Sequence, residues 1–281
     1  MRIKQTVAAF GGLLALAMAG AAWAGVVEFE FDAGDFNDST TLDNDFWGLR
    51  MSSPSSAVFF SESDDGCEVS EATVVDTTGT GFFDAPYDVD AVVIQDREWV
   101  SEECDGDYQL VEDTFDWYAQ DDDGNVWYLG EDTTALEELE GGGYCLSSAG
   151  SWKAGDDVAG IGIVAEPGVI MPADPQPGDA YQQEYYEGEA EDWAKVLRLN
   201  ATVSIEYDDG EFFGCLQTKE YTPLAPGEVE HKYYCRLSQG GVGLTLINEL
   251  KERTKRVEYV GTGKPTGSYG TFPANTPACP D

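Results

Sequence analysis

Glu112–Thr133, EDTFDWYAQDDDGNVWYLGEDT, decides the fold. Two aromatic runs, Thr114–Gln120 and Val126–Gly130, flank Asp122-Asp123-Gly124, and glycine accepts the positive φ that a tight hairpin turn demands. The stretch therefore predicts an antiparallel hairpin. Working outward, Ala57–Phe60, Glu71–Asp76 and Ala91–Asp96 are short β-branched or aromatic runs separated by Gly, Pro, Ser and Asp, the spacing of an antiparallel sheet and not of βαβ units. Val26–Phe31 (VVEFEF) alternates as a strand would, and an Asp/Asn-rich loop follows it to Asp45, where Phe46, Trp47 and Leu49 should anchor the chain in the core.

Downstream, Leu136–Gly143 reads as a polar turn, and Pro172, Pro175 and Pro177 form a rigid crossing between possible halves 25–165 and 178–260 of one β-rich domain. Acids followed by Lys195 leave room for one short helix at 189–195. Leu197, Leu199, Ala201, Val203, Ile205 and Tyr207 then alternate with polar residues, which predicts a strand with those six on one face, turned back at Asp208-Asp209-Gly210. Glu211–Tyr221, Val229–Arg236, Val242–Asn248 and Val257–Val260 complete an antiparallel meander. Residues 261–281 read as an irregular tail. The expected fold class is all-β and mostly antiparallel, a sandwich or a curved half-barrel.

Arg2 and Lys4, the apolar run Val7–Met18 and Ala22-Trp23-Ala24 have the pattern of a secretory signal peptide cut after Ala24. Periplasm or medium is the expected location, and no later stretch is long and apolar enough to span a bilayer as a helix. The chain carries 54 Asp and Glu against 15 Lys and Arg, a formal charge of −39, and loss of Arg2 and Lys4 makes the remainder more acidic still. Such a charge argues against nucleic acid as a partner. It suits salty surroundings, where ionic strength screens self-repulsion. The one basic cluster is Lys251, Arg253, Lys255, Arg256 and Lys264.

Six cysteines in an exported chain, none in Cys-x-x-Cys spacing, predict three disulfides. Strands on either side of the turn Leu224–Gly227 place Cys215 opposite Cys235. Cys67 with Cys104 follows from proximity, and Cys145 with Cys279 by elimination.

The hairpin stretch together with Gly150-Ser151-Trp152, Pro167–Pro175 (PGVIMPADP), Gln183–Asp192 (QEYYEGEAED), Thr222–Tyr234 (TPLAPGEVEHKYY) and Gly241–Leu244 (GVGL) resembles a group of exported bacterial proteins with no assigned activity. The resemblance covers roughly Glu112–Leu250. It implies secretion and a β-rich fold and brings no catalytic residue with it. The Cys235 position and the insert Arg236–Gly240 depart from the pattern, which implies that the Cys215 bridge is particular to this branch.

His231 is the single histidine, so Ser-His-Asp catalysis and multi-histidine zinc sites are disfavoured. It shares a strand face with Tyr233 and Cys235. Asp121, Asp123 and Asn125 have the oxygen-ligand spacing that opens a calcium loop, but position 132 is aspartate, not the bidentate glutamate. Calcium is thus the one candidate cofactor, and an ordinary Asp/Gly turn the simpler reading. Truncating Asp121 should then cost little stability. The paired aromatics Trp117-Tyr118, Trp127-Tyr128, Tyr185-Tyr186 and Tyr233-Tyr234 should each send one ring into the core and leave the other exposed or half-exposed. Trp117, Tyr118, Trp127, Tyr128, Tyr185, Tyr186, His231 and Tyr233 are therefore the candidate binding residues, for an apolar molecule or a carbohydrate. Among the acids, Glu184, Glu189 and Asp192 lie beside aromatics, where a carboxyl pKa would rise, and are the candidates for a polysaccharide-hydrolase pair. The expected function is a non-enzymatic binding or envelope-associated protein. Polysaccharide hydrolysis and a calcium-stiffened surface role are the alternatives.

Overall fold

The computed structural model describes residues 25–280, apart from 51–55, 64–65, 77–88, 140, 158–161, 208–209 and 251–253. The signal segment, the Asp208-Asp209 turn, Lys251 and Arg253 lie outside the described residues. Sixteen strands follow in order: β1 (Ser56–Ser63), β2 (Gly66–Asp76), β3 (Val92–Ser101), β4 (Asp107–Gln120), β5 (Val126–Glu138), β6 (Tyr144–Ser147), β7 (Trp152–Lys153), β8 (Glu166–Met171), β9 (Ala180–Gln182), β10 (Glu184–Tyr185), β11 (Trp193–Ser204), β12 (Glu211–Tyr221), β13 (Val229–Cys235), β14 (Gly243–Leu250), β15 (Thr254–Gly261) and β16 (Ser268–Tyr269).

They form one sheet, ordered β10-β8-β5-β4-β3-β2-β1-β15-β14-β13-β12-β11-β9, antiparallel along that path. Its two edges are neighbours in sequence. Ala180–Gln182 pairs with β11, and Glu184–Tyr185, two residues on, pairs with β8. One extended stretch thus serves both edges and brings the sheet round into a nearly closed barrel. Strands from both sides of the proline crossing belong to this sheet.

The expected turn at Leu136–Gly143 begins later, because Leu136–Glu138 continue β5 and pair with β6, and three further segments depart from the sequence reading. Val26–Phe31 forms no ladder beyond a bridge from Val26 to Ala180; its alternation arises because Phe29 and Phe31 pack edge-on to Trp127 while Glu28 and Glu30 point to solvent. No helix forms at 189–195. Gly188, at φ +82, reverses the chain in a turn closed between Tyr186 and Ala190, and Trp193 already pairs with Tyr221. The β11 face also switches. Val196 opposes Thr218, Arg198 opposes Gln217 and Ala201 opposes Cys215, so β11 carries two extra residues whose parity changes cancel. Ala194 and Val196 are buried with Leu216 and Tyr234 on one face, and Ala201, Val203 and Ile205 with Cys215 and Tyr233 on the other, leaving Leu197 and Tyr207 exposed.

All three disulfides pair as expected: Cys67–Cys104, Cys145–Cys279 and Cys215–Cys235. The last joins adjacent strands, and Cys145–Cys279 ties the tail to β6. That tail also adds β16 beside β4 and stacks Tyr269 on Tyr108 at 4.9 Å.

Candidate functional site

Cross-strand register shows what the barrel turns inward. Ala57 (β1), Ala72 (β2), Ile94 and Asp96 (β3), Asp116 and Tyr118 (β4), Lys232 and Tyr234 (β13), and Leu244 and Ile247 (β14) all line one cavity of ≈ 240 Å³. Residues directly opposite across antiparallel strands share a face, and these do: Ala72 with Ala57 and Asp96, Ile94 with Asp116, Lys232 with Ile247, Tyr234 with Leu244.

One end of the cavity is apolar. Phe46, Trp47 and Leu49 cap it, together with Phe59, Ile170 and Val242. The cap is pinned by backbone contact, since a Cβ at Gly48 would lie 1.9 Å from the Val242 carbonyl oxygen. Gly243, at φ +79, meets Gly48 from the other side, so both positions need glycine. Polar bonds hold the same segment. Asp45 accepts from the Ser238 N–H and hydroxyl and from Arg236, which holds its carboxyl below the usual range despite partial burial, and Asn44 donates to the carbonyls of Gly124 and Pro172.

The polar wall follows from the period of two. In β3 the inward series runs Val92, Ile94, Asp96, Glu98; in β4 it runs Tyr118, Asp116, Thr114, Glu112. Continuing the register adds Glu131 of β5, Glu220 of β12, Glu230 of β13, Glu249 of β14, and Glu68 of β2, against the inward amines Lys232 and Lys255. Each amine meets two acids: Lys232 sits 2.8 Å from Glu220 and 3.5 Å from Glu230, and Lys255 2.7 Å from Glu68 and 3.0 Å from Glu249. Although burial works against its charge, the Glu220 and Glu230 carboxylates hold the Lys232 ammonium well above its ordinary pKa. Glu220 accepts further hydrogen bonds from Thr218 Oγ1 and Tyr234 Oη.

Asp96, Asp116, Glu131 and Glu184 lack that compensation, and burial raises them. Asp96 is pushed up to about 6 by burial and by Glu112, and Asp116 well above the carboxylate range by burial. Burial pushes Glu131 up to about 7, and burial with Asp192 and Glu131 nearby pushes Glu184 up to about 8. Hydrogen-bond geometry agrees at one point. Tyr128 Oη lies 2.6 Å from Asp116 Oδ1 and 3.1 Å from Glu131 Oε2. A phenol has one proton to donate, so the second contact is favourable only when a carboxyl supplies the proton. Tyr118 stacks on Tyr128 at 4.9 Å and touches Trp47 at 4.8 Å.

The aromatic pairs are corrected here. Trp127 and Tyr128 are both buried, at 3% and 8% exposure, because Tyr128 faces the barrel interior and Phe29, Phe31 and Phe36 cover Trp127 on the opposite face. Tyr233 and Tyr234 are likewise both buried; Tyr233 accepts from Gln217 Nε2 at 2.9 Å on the face away from the cavity. His231 shares that outward face, and burial lowers its pKa. Of the eight candidate binding residues, the cavity takes Tyr118. Trp117 and buried Tyr186 line a separate cleft of ≈ 580 Å³ with Glu131, Trp152 and Glu189, and Tyr185 is half-buried at a third, smaller depression.

Of the three calcium-loop residues, Asp121 and Asn125 have their oxygens occupied by the turn itself, and Asp123 is exposed. Asp121 accepts from the Asn125 N–H, Asn125 Nδ2 and Trp127 Nε1, and Asn125 Oδ1 accepts from Ala173 N–H. Among the hydrolase acids, Glu184 accepts from Trp152 Nε1 at 2.9 Å and Asp192 is raised by burial, whereas Glu189 is exposed on the turn. Lys255, Arg256 and Lys264 of the basic cluster are each paired, with Glu68, Glu258 and Glu71 respectively.

Asp96, Asp116, Glu131, Glu220 and Lys232 were missed as a group. Their signal is an acid or amine at inward parity within an aromatic or aliphatic strand, as in VVIQDREWV, and it becomes readable only once the register is known. Among the described residues no helix is long and apolar enough to cross a membrane. Three disulfides point to an oxidising compartment. Comparison with protein families, with curated proteins and with solved structures finds no match to this chain, so function is argued from the site alone.

Proposed function

We propose that this exported β protein is a binding protein that holds a small, largely apolar molecule inside its barrel. The capped cavity carries the reading: ≈ 240 Å³ walled by Trp47, Phe59, Ile94, Tyr118, Leu244 and Ile247 is room for a molecule of the order of benzene with a short arm, since a cavity of about 150 Å³ accepts benzene. A wall of this kind, apolar with a few polar groups at one side, is the usual make-up of a small-molecule site. Native mass spectrometry of the protein isolated from its own source tests it. A non-covalent adduct of one small molecule per chain is expected; a clean apo mass, with no uptake from a panel of small apolar compounds, would refute it.

A second reading, polysaccharide hydrolysis, draws support from Glu131, which reaches the ≈ 580 Å³ cleft beside Trp117 while sharing Tyr128 with Asp116. Loss of polysaccharide cleavage in Glu131→Gln, with binding retained, would support it.

A further inference from the structure

We propose that the molecule held in the barrel carries a protonated amine seated on Asp96, with its apolar body against Phe59, Ile94 and Tyr118; this rests on the interior being the binding chamber. The charges on the cavity wall are not equivalent. Lys232 is committed to Glu220 at 2.8 Å, and Asp116 takes the Tyr128 hydroxyl at 2.6 Å. Among the described residues no ammonium or guanidinium group forms an ion pair with Asp96. It nevertheless lines the cavity and keeps accessible surface there. A carboxylate on the cavity wall with no cationic partner of its own is matched by a cation that brings its own hydrocarbon.

A separate feature points to a ligand. Trp47 lines the same cavity at 8% exposure, and its indole N–H is buried without an acceptor. A buried donor left unpaired is destabilising, and an oxygen on the ligand body within reach of the indole would satisfy it. The chemical class is therefore a compact monoamine with an aromatic or branched aliphatic body and an ether, carbonyl or hydroxyl oxygen.

The test is calorimetric titration at pH 7.5 with 2-phenoxyethylamine and with 2-phenoxyethanol, which share skeleton and ether oxygen and differ in the charged head. The amine is expected to bind at least tenfold more tightly than the alcohol. Asp96→Asn should remove that preference, while Asp113→Asn, on the outward face of β4, should keep it and so exclude general attraction to an acidic protein. Equal binding of the two probes by the wild type overturns the amine assignment and leaves the chamber reading standing. A preference that survives Asp96→Asn in a folded protein places the seat elsewhere and also overturns it. Binding of neither probe removes the chamber reading and this inference together.

Discussion

Replacing Lys232 by Met tests how far the barrel interior is withdrawn from water. Methionine keeps an unbranched apolar stem of nearly the same reach, and the ammonium with its donors is lost. Glu220, itself largely buried, would then retain two neutral donors, Thr218 Oγ1 at 2.8 Å and Tyr234 Oη at 3.0 Å, in place of an ammonium at 2.8 Å. Removing one partner of a buried pair costs about 3–5 kcal/mol. Lys232 keeps part of its surface through the cavity, which places this case near the lower end, about 3 kcal/mol. Urea unfolding followed by tryptophan fluorescence at pH 7.5 reads the loss as a lower midpoint at unchanged slope. Adding Glu220→Gln should recover roughly half of it, because no uncompensated carboxylate remains. A Lys232→Met protein within about 1 kcal/mol of wild type would refute the argument, since that is the range of exposed pairs.

Further outcomes follow from the same structure. Glu131 and Glu184, with folded values of about 7 and about 8 against an ordinary 4.5, stabilise fully below about pH 4.5 and lose that contribution as pH rises through their folded values; unfolding free energy should fall by on the order of 3–6 kcal/mol between pH 5 and 8, and Glu184→Gln should flatten the slope. Breaking Cys145–Cys279 with paired alanines opens a 134-residue separation and should cost about 3–5 kcal/mol in urea unfolding under oxidising conditions. Trp127→Ala should cost about 3–5 kcal/mol. Asp121→Ala, which loses three hydrogen bonds, should cost about 1–3 kcal/mol with no dependence on added calcium in thermal unfolding, more than the sequence suggested for a simple turn residue.

Strand identity was legible in the sequence where alternation and turn chemistry agree, as at Glu211–Tyr221, and so was the Cys215–Cys235 bridge, which needs only two neighbouring strands. Closure was not. It depends on Ala180–Tyr185 serving both edges, and those six residues carry no local sign of that role. The expectation failed for Leu197 because β11 changes which of its faces is buried between Val196 and Ala201, which leaves no mark in the alternation itself, and for Trp127 because the covering Phe29, Phe31 and Phe36 come from about 90 to 100 residues away. The interior site was hidden for a related reason. In a chain with 54 acids the inward ones are distinguished by register alone, and register is long-range information. Glu184 and Asp192 were found early because an aromatic neighbour in sequence can report burial; Asp96 and Asp116 look like any other strand acid.

If the barrel interior is the binding chamber, filling it must abolish binding. Ala72 lines the cavity, so Ala72→Phe should occupy it while leaving the β-sheet circular dichroism unchanged. Titration with propylbenzene, read by calorimetry and by native mass spectrometry, should give one molecule bound per wild-type chain and none per Ala72→Phe chain. Equal uptake by the filled variant, or none by the wild type, would contradict the account.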